Sequence, residues 1–232
     1  MNLGYCMEMM MNTTIIWDFN GTLLDDTLFC VDSMNKVLNK RGLPSITLQK
    51  YREIFGFPVK GYYEKAGFDL NLFSFHELSG EFIKLYYEGV YTKTKLHESA
   101  REVLSYFHAQ GIKQVILSAM EHEGLVALTK FFNIYDYFES VWGIDDHHAS
   151  GKIQIAKNHM DEIKSQNLFY IGDTDHDEEV ARFLHARLIF HCNGSQSIDR
   201  LAVFNDAILA DNLKQVQDII GKVSNGPVPQ KN

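Results

Sequence analysis

From Glu98 to Cys192 the chain alternates short apolar runs with amphipathic stretches, and one further apolar run, Thr13–Phe19, stands far upstream. This pattern constrains the fold more than any other feature. The upstream run, TTIIWDF, crowds β-branched and aromatic residues together and stops at Asn20-Gly21, as a buried strand does at a turn. Downstream, Val115–Ala119, Ser140–Ile144, Leu168–Gly172 and Arg187–Cys192 read as four more strands. Between them, apolar residues recur at helical spacing, as at Ala100, Val103, Leu104 and Phe107. Five apolar strands separated by helices predict a doubly wound parallel α/β sheet, Rossmann-like, covered on both faces.

The stretch between the first strand and the next helix–strand unit is too long for an ordinary connection. Its apolar residues follow helix spacing, as at Val31, Met34, Val37 and Leu38, with breaks at Gly42-Leu43-Pro44 and Gly56-Phe57-Pro58. We expect an inserted helical cap over residues 26–98 and an α/β core from residues 1–25 plus 99–232. Phe57 to Tyr63 is expected to form a loop. A last amphipathic helix runs from about Leu213 to Val223.

A net charge of −8 argues against nucleic acid, which calls for a basic surface. No apolar run reaches the length of a membrane span, and the Met-rich start lacks the layout of a secretory signal, so a cytoplasmic protein is expected. Cys6, Cys30 and Cys192 are scattered and odd in number, and read as free thiols. The tail GPVPQKN is expected to fray.

Ligands of open α/β sheets sit outside the carboxyl ends of strands, so an acid just past a strand end is a candidate for chemistry. Asp18 and Asp173 hold such places, with Asp177 one helical turn further on. A carboxylate can attack phosphorus and split a hard hydrolysis into two easier steps. Nucleophile and phosphate are both anionic, so the attack needs a cation, and Mg²⁺ suits carboxylate and carbonyl ligands. Taken alone, each piece has a plainer reading: Asp-Phe-Asn-Gly as a tight turn, Asp173 as a helix cap, Lys152 as a solvated lysine. The set in this order is what points to a site.

WDFNGTLLDD resembles the first motif of the haloacid dehalogenase-like superfamily, whose usual form is DxDGT after an apolar strand. VILSA resembles the second motif, SGKIQIA the region of the third, and FYIGDTDHD the fourth, GDxxxD. FGFPVKGYYEKAGFD is similar to the cap of phosphoglycolate phosphatase-like members. The resemblance implies Asp18 as covalent nucleophile and metal ligand, and the backbone carbonyl of Asn20 as a second ligand. It implies Ser118 and Lys152 on the phosphoryl group, with Lys157 competing for the lysine's place. Asp173 would bind Mg²⁺, and Asp177 would bind it through water or orient other ligands. Backbone N–H groups of Gly21 and Thr22 would cradle phosphoryl oxygens, while Phe57 and Lys60 in the cap would meet the substrate, a small phosphorylated metabolite.

One departure matters. Asn20 stands where the family usually has the aspartate that protonates the leaving oxygen, and a carboxamide cannot do so. A phosphomonoesterase that is slow, acts on a substrate with a good leaving group, or borrows a proton carrier such as His176 or a cap residue is the leading expectation. C–P cleavage like that of phosphonoacetaldehyde hydrolases, with Lys60 as Schiff-base lysine, is the alternative, beside a pseudo-phosphatase that only binds. His122, His147, His148, His159, His176, His185 and His191 lack the spacing of a zinc site, and none is assigned to a metal. Oligomeric state is not legible.

Overall fold

The computed structural model describes residues 12–144 and 151–224. Cys6, His147, His148 and the GPVPQKN tail lie outside the described residues.

The central sheet contains β1 (Thr13–Trp17), β4 (Lys113–Glu121), β5 (Ser140–Ile144), β6 (Asn167–Gly172), β7 (Arg187–His191) and β8 (Ile208–Ala210). Their order is β5-β4-β1-β6-β7-β8, and every neighbouring pair is parallel. β1 therefore lies between β4 and β6, with Ile15 facing Gln114 on one side and Phe169 on the other. The expected doubly wound α/β sheet is present, with a sixth strand that the apolar pattern did not announce. Three residues are too few for a period to show.

Alternate residues of β1 feed opposite faces, as the pleat dictates. Ile15 and Trp17 join one apolar cluster with Phe107, Phe169 and Val216, while Ile16 joins another with Leu117, Tyr170 and Phe190. All of these side chains are fully buried. Each removes enough apolar surface from water to stabilise the fold by about 1.5–3 kcal/mol. The one polar group of Trp17 is satisfied, because its indole N–H donates to Gln114 Oε1 at 3.1 Å.

The chain leaves the sheet through β2 (Leu24–Asp25) and returns through β3 (Lys95–Leu96), which pair antiparallel. Between them run α1 (Thr27–Asn39), α2 (Leu48–Ile54), α3 (Val59–Ala66) and α4 (Phe75–Lys93). These helices hold a third cluster, centred on Met34, Tyr51, Tyr63 and Leu78. The expected loop from Phe57 to Tyr63 is corrected here. Pro58 caps the helix that begins at Val59, and Tyr62 and Tyr63 face inward from it. Proline just before or within a first turn loses no helical hydrogen bond, so Gly-Phe-Pro marked a helix start as well as a break.

The helices among the sheet strands are α5 (Ala100–Ala109), α6 (His122–Phe131), α7 (Lys152–Asn158), α8 (Asp175–Phe183), α9 (Ile198–Leu201) and α10 (Leu213–Ser224). No described helix is long and apolar enough to cross a membrane. Cys30 and Cys192 are free thiols.

Candidate active site

Five elements converge on the carboxyl ends of the central strands. β1 ends one residue before Asp18, whose N–H donates to Ile171 O at 2.8 Å and so fixes the residue beside β6. β6 runs into Asp173, and the first turn of α8 carries Asp177. Lys152 opens α7, and Ser118 lies in β4.

Lys152 is 3% exposed, and its Nζ donates to Asp18 Oδ1 at 2.6 Å and to Asp177 Oδ1 at 2.7 Å. Lys157, by contrast, is exposed, with its ammonium 5.6 Å from the Phe183 ring centre. Of the two lysines, Lys152 is the one that meets the acidic cluster. Carboxylate oxygens of Asp18, Asp173 and Asp177 all lie within 4.8 Å of one another.

Asp177 is committed to holding this arrangement. Its Oδ2 accepts from the N–H groups of Asp173 and Thr174, each at 3.0 Å, and from Thr174 Oγ1 at 2.8 Å. Its Oδ1 accepts from Lys152 and from the Tyr170 hydroxyl at 3.1 Å. Five donors leave little lone-pair capacity for a direct metal bond. Asp173 is held more loosely, by Ser195 N–H at 2.5 Å and Thr22 Oγ1 at 3.3 Å.

Burial pushes the Asp18 carboxyl up to about 6, against the opposing pull of Lys152. Burial, with the charges of Asp18 and Asp177, drives Asp173 well above the usual carboxylate range. For Asp177 burial also acts upward, but the Lys152 charge and hydrogen bonds outweigh it and the pKa falls. For Lys152, burial favours the neutral amine, but Asp177 and Asp18 reverse this and hold the ammonium. Three carboxylates thus face one cation at the buried floor of the site. A divalent cation would offset that excess, and Asp18 and Asp173 have the oxygen donors it takes.

Asn20 is placed beside Asp18 but turned to a second network. Its amide donates to Asp26 Oδ2 at 2.7 Å and to the Tyr86 hydroxyl at 2.8 Å, and Tyr86 donates to the same Asp26 oxygen at 2.6 Å. Asp26 Oδ1 accepts from Gly21 N–H at 3.0 Å. That N–H also meets Leu24 O, and the Thr22 N–H donates to Phe19 O, so both expected phosphate donors are turned into their own loop. Gly21 itself is required. Its φ is +74°, and a Cβ there would lie 2.1 Å from Asp173 Oδ2.

A cavity of about 370 Å³ is lined by Asp18, Asn20, Ser118, Lys152 and Asp173, and by side chains from α1 to α4. Ser118 is buried, and its Oγ accepts from Met120 N–H at 3.1 Å, so the hydroxyl proton can be donated. Phe57 also lines the cavity, its ring centre 4.7 Å from that of His176. Lys60 is exposed and is not among the lining residues. Neither is His176, whose Nδ1 lies 3.1 Å from Glu179.

The sequence reading missed Asp26, Tyr86 and the loop Asn193–Ser195. Asp26 lies only six residues beyond Asn20, but its role depends on Tyr86 from α4. The loop could have been found, since it follows an apolar strand as the other site loops do. Arg52 of α2 donates to the carbonyls of Asn193 and Gly194, each at 2.9 Å, and ties the helical segment to this loop. His97 and His191, with ring centres 4.4 Å apart, approach the Gly21 carbonyl at 3.1 and 3.2 Å.

A family model described as haloacid dehalogenase-like hydrolase matches residues 15–190. A phosphoglycolate phosphatase from Photobacterium profundum is 21% identical over 216 residues, covering 89% of this chain and 94% of its own length. A haloacid dehalogenase-like family hydrolase from Streptococcus pneumoniae superposes with a TM-score of 0.75 at 17% identity, over 90% of this chain and 99% of its own. Protein tyrosine kinase A of Mycobacterium tuberculosis gives the same TM-score at 18% identity, over 90% and 97%. At such identities the structural likeness speaks for the fold alone. The family match extends from β1 to β7 and takes in all five converging elements, and on that ground the chain belongs to the haloacid dehalogenase-like hydrolases.

Proposed function

We propose that the chain is a Mg²⁺-dependent phosphatase that hydrolyses a small phosphomonoester through an aspartyl-phosphate on Asp18. The observation that carries this reading is the position of Lys152, buried between Asp18 and Asp177 in a cluster that Asp173 completes. A buried binder of phosphate has no evident need for an anionic residue against the anion it binds. A nucleophile does have to be there.

Asp18 attacks phosphorus, forming an O–P bond as the ester oxygen leaves with its electron pair. Lys152 keeps Asp18 ionised and offsets charge on the phosphoryl oxygens, and Ser118 donates to one of them. Water then attacks phosphorus as the Asp18 O–P bond breaks, and the proton it gives up to solvent balances the one that the departed ester oxygen takes from solvent. Asp18, the Asn20 carbonyl and Asp173 would hold Mg²⁺, which when bound neutralises phosphate charge and lets the two anions meet. Asp177 orients Lys152 and the turn that carries Asp173. Asn20 gives the leaving oxygen no proton, so the reaction favours esters whose alcohol leaves readily.

In this reading residues 26–98 act as a cap over a core of residues 1–25 and 99–232, and exclude bulk water from the cavity. A Schiff-base lysine has to reach that cavity, and exposed Lys60 does not line it. The C–P cleavage reading therefore has no structural support. The test is phosphate release from a panel of small phosphomonoesters, with Mg²⁺ and with excess chelator, beside Asp18→Asn. Release that needs the metal and vanishes in the variant supports the proposal, and equal release from the variant rejects it.

A further inference from the structure

The cavity walls also bear on the organic part of the substrate. Among the residues that line it, Lys152 is the one Lys or Arg, and its ammonium is already shared between Asp18 and Asp177. The acids beyond the catalytic cluster are Asp26 and Glu121, and both are engaged. Asp26 accepts from Asn20, Tyr86 and Gly21, while Glu121 caps α6 by accepting from the N–H groups of Glu123 and Gly124. Among the described residues that line the cavity, no cation is left over to meet a second negative charge on a ligand.

Most of what remains is aromatic or aliphatic, with hydroxyls of Ser79, Thr174 and Ser195 among it. Tyr51 stacks on Phe55 with ring centres 5.0 Å apart, and Tyr62 meets both edge-on at 5.5 and 5.3 Å. Phe82 and Ile83 extend this surface from α4. Such a wall is already assembled without a ligand, as ligand pockets generally are. It carries one buried polar group without a partner among the described residues. The Tyr62 hydroxyl is buried without a hydrogen-bond partner, on a residue that is 4% exposed and lines the cavity. A buried phenol ordinarily finds a partner, and here the ligand is the candidate.

Resting on the phosphatase reading above, we propose that the substrate is a phosphomonoester of a neutral, ring-sized, mainly apolar alcohol, with one hydrogen-bonding group that meets Tyr62. A second carboxylate or phosphate on the ligand would be stripped of water against aromatic carbon with no described cation to receive it, and an ammonium would find only carboxylates that other donors already hold. Phosphoglycolate, with its carboxylate, is a poor fit for this wall.

The experiment measures binding, by calorimetry in Mg²⁺, of non-hydrolysable phosphonates differing at one position: benzylphosphonate, its 4-carboxy twin and its 4-aminomethyl twin. Benzylphosphonate is expected to bind about tenfold or more tightly than either charged twin. Equal or tighter binding of a charged twin overturns the proposal, as does failure of all three to bind. Ile83→Lys places a cation on a half-exposed part of the wall and is expected to favour the carboxy twin; an unchanged order counts against the wall as the selecting surface. Among hydroxylated benzylphosphonates, the gain of the best binder over the plain compound should disappear in Tyr62→Phe. A gain that persists, or none in the wild type, removes Tyr62 from the proposal. Phosphate release from benzyl phosphate is read separately. Tight binding without release overturns the hydrolase reading and leaves the ligand class standing.

Discussion

Lys152 Nζ lies 2.6 Å from Asp18 Oδ1, joining two residues more than a hundred positions apart at the point where β1 and α7 meet. The contact is 3% and 4% exposed on its two sides, so neither charge is relieved by water. Much of the site's behaviour follows from this pair and from the two further carboxylates it must balance.

Removing the cation leaves those carboxylates facing one another. Lys152→Met should lower the unfolding free energy of the metal-free protein by about 3–5 kcal/mol, as when one partner of a buried pair is lost. Urea titration checks it. A loss below about 1 kcal/mol, the range of a surface pair, would contradict the buried balance described here.

Metal binding should depend on pH with a definite sign. Burial lifts Asp18 from 3.8 to about 6, so the metal-free folded protein holds a proton that the unfolded chain has released. That contribution to stability is complete below 3.8 and is lost as pH rises through about 6. Mg²⁺ must displace the proton, so the rise in Tm on adding Mg²⁺ should be larger near pH 7.5 than near pH 5. A rise of the same size at both would contradict protonated carboxyls in the site.

Asn20 donates to Asp26 at 2.7 Å, and this contact changes what a restored aspartate should do. Asn20→Asp alone sets two carboxylates against each other, and one of them must stay protonated or move. The single variant should therefore gain little turnover. Asn20→Asp with Asp26→Asn restores a donor–acceptor pair in reversed order and should raise kcat by about 10²-fold on esters with poor leaving groups. If the single variant is as fast as the double, Asp26 does not control residue 20.

Gly194 lets backbone approach Asp173, since a Cβ there would lie 2.2 Å from Asp173 Oδ2. Gly194→Ala should displace that carboxylate and weaken Mg²⁺ binding by about 10–100-fold, as substitutions around metal ligands do. Titration of Mg²⁺ by calorimetry would show it, and wild-type affinity in a folded variant would contradict it.

How much of this was legible in the sequence depended on the range of the interactions. β1 and β6 announced themselves because apolar runs end abruptly at Asp18 and Asp173, and a strand end is a local signal. Lys152 could be separated from Lys157 only by packing, because both lie on one short helix and differ in which way they face. β8 was too short to carry a pattern, and Val59–Ala66 was hidden by the proline that starts it. Tyr86 reaches Asp26 from sixty residues away, and no local pattern encodes such a contact. The aromatic cavity wall likewise looks like ordinary helix packing until α2, α3 and α4 are brought together.

The central claim is that Asp18 takes the phosphoryl group. The most direct test is to mix the protein with Mg²⁺ and a phosphomonoester it turns over, quench in acid within one turnover, and map the peptides by mass spectrometry. A phosphoryl group on Asp18, absent with chelator and absent in Asp18→Asn, is the expected result. Phosphate release with no phosphorylated Asp18, or with the label on another residue, would contradict the account.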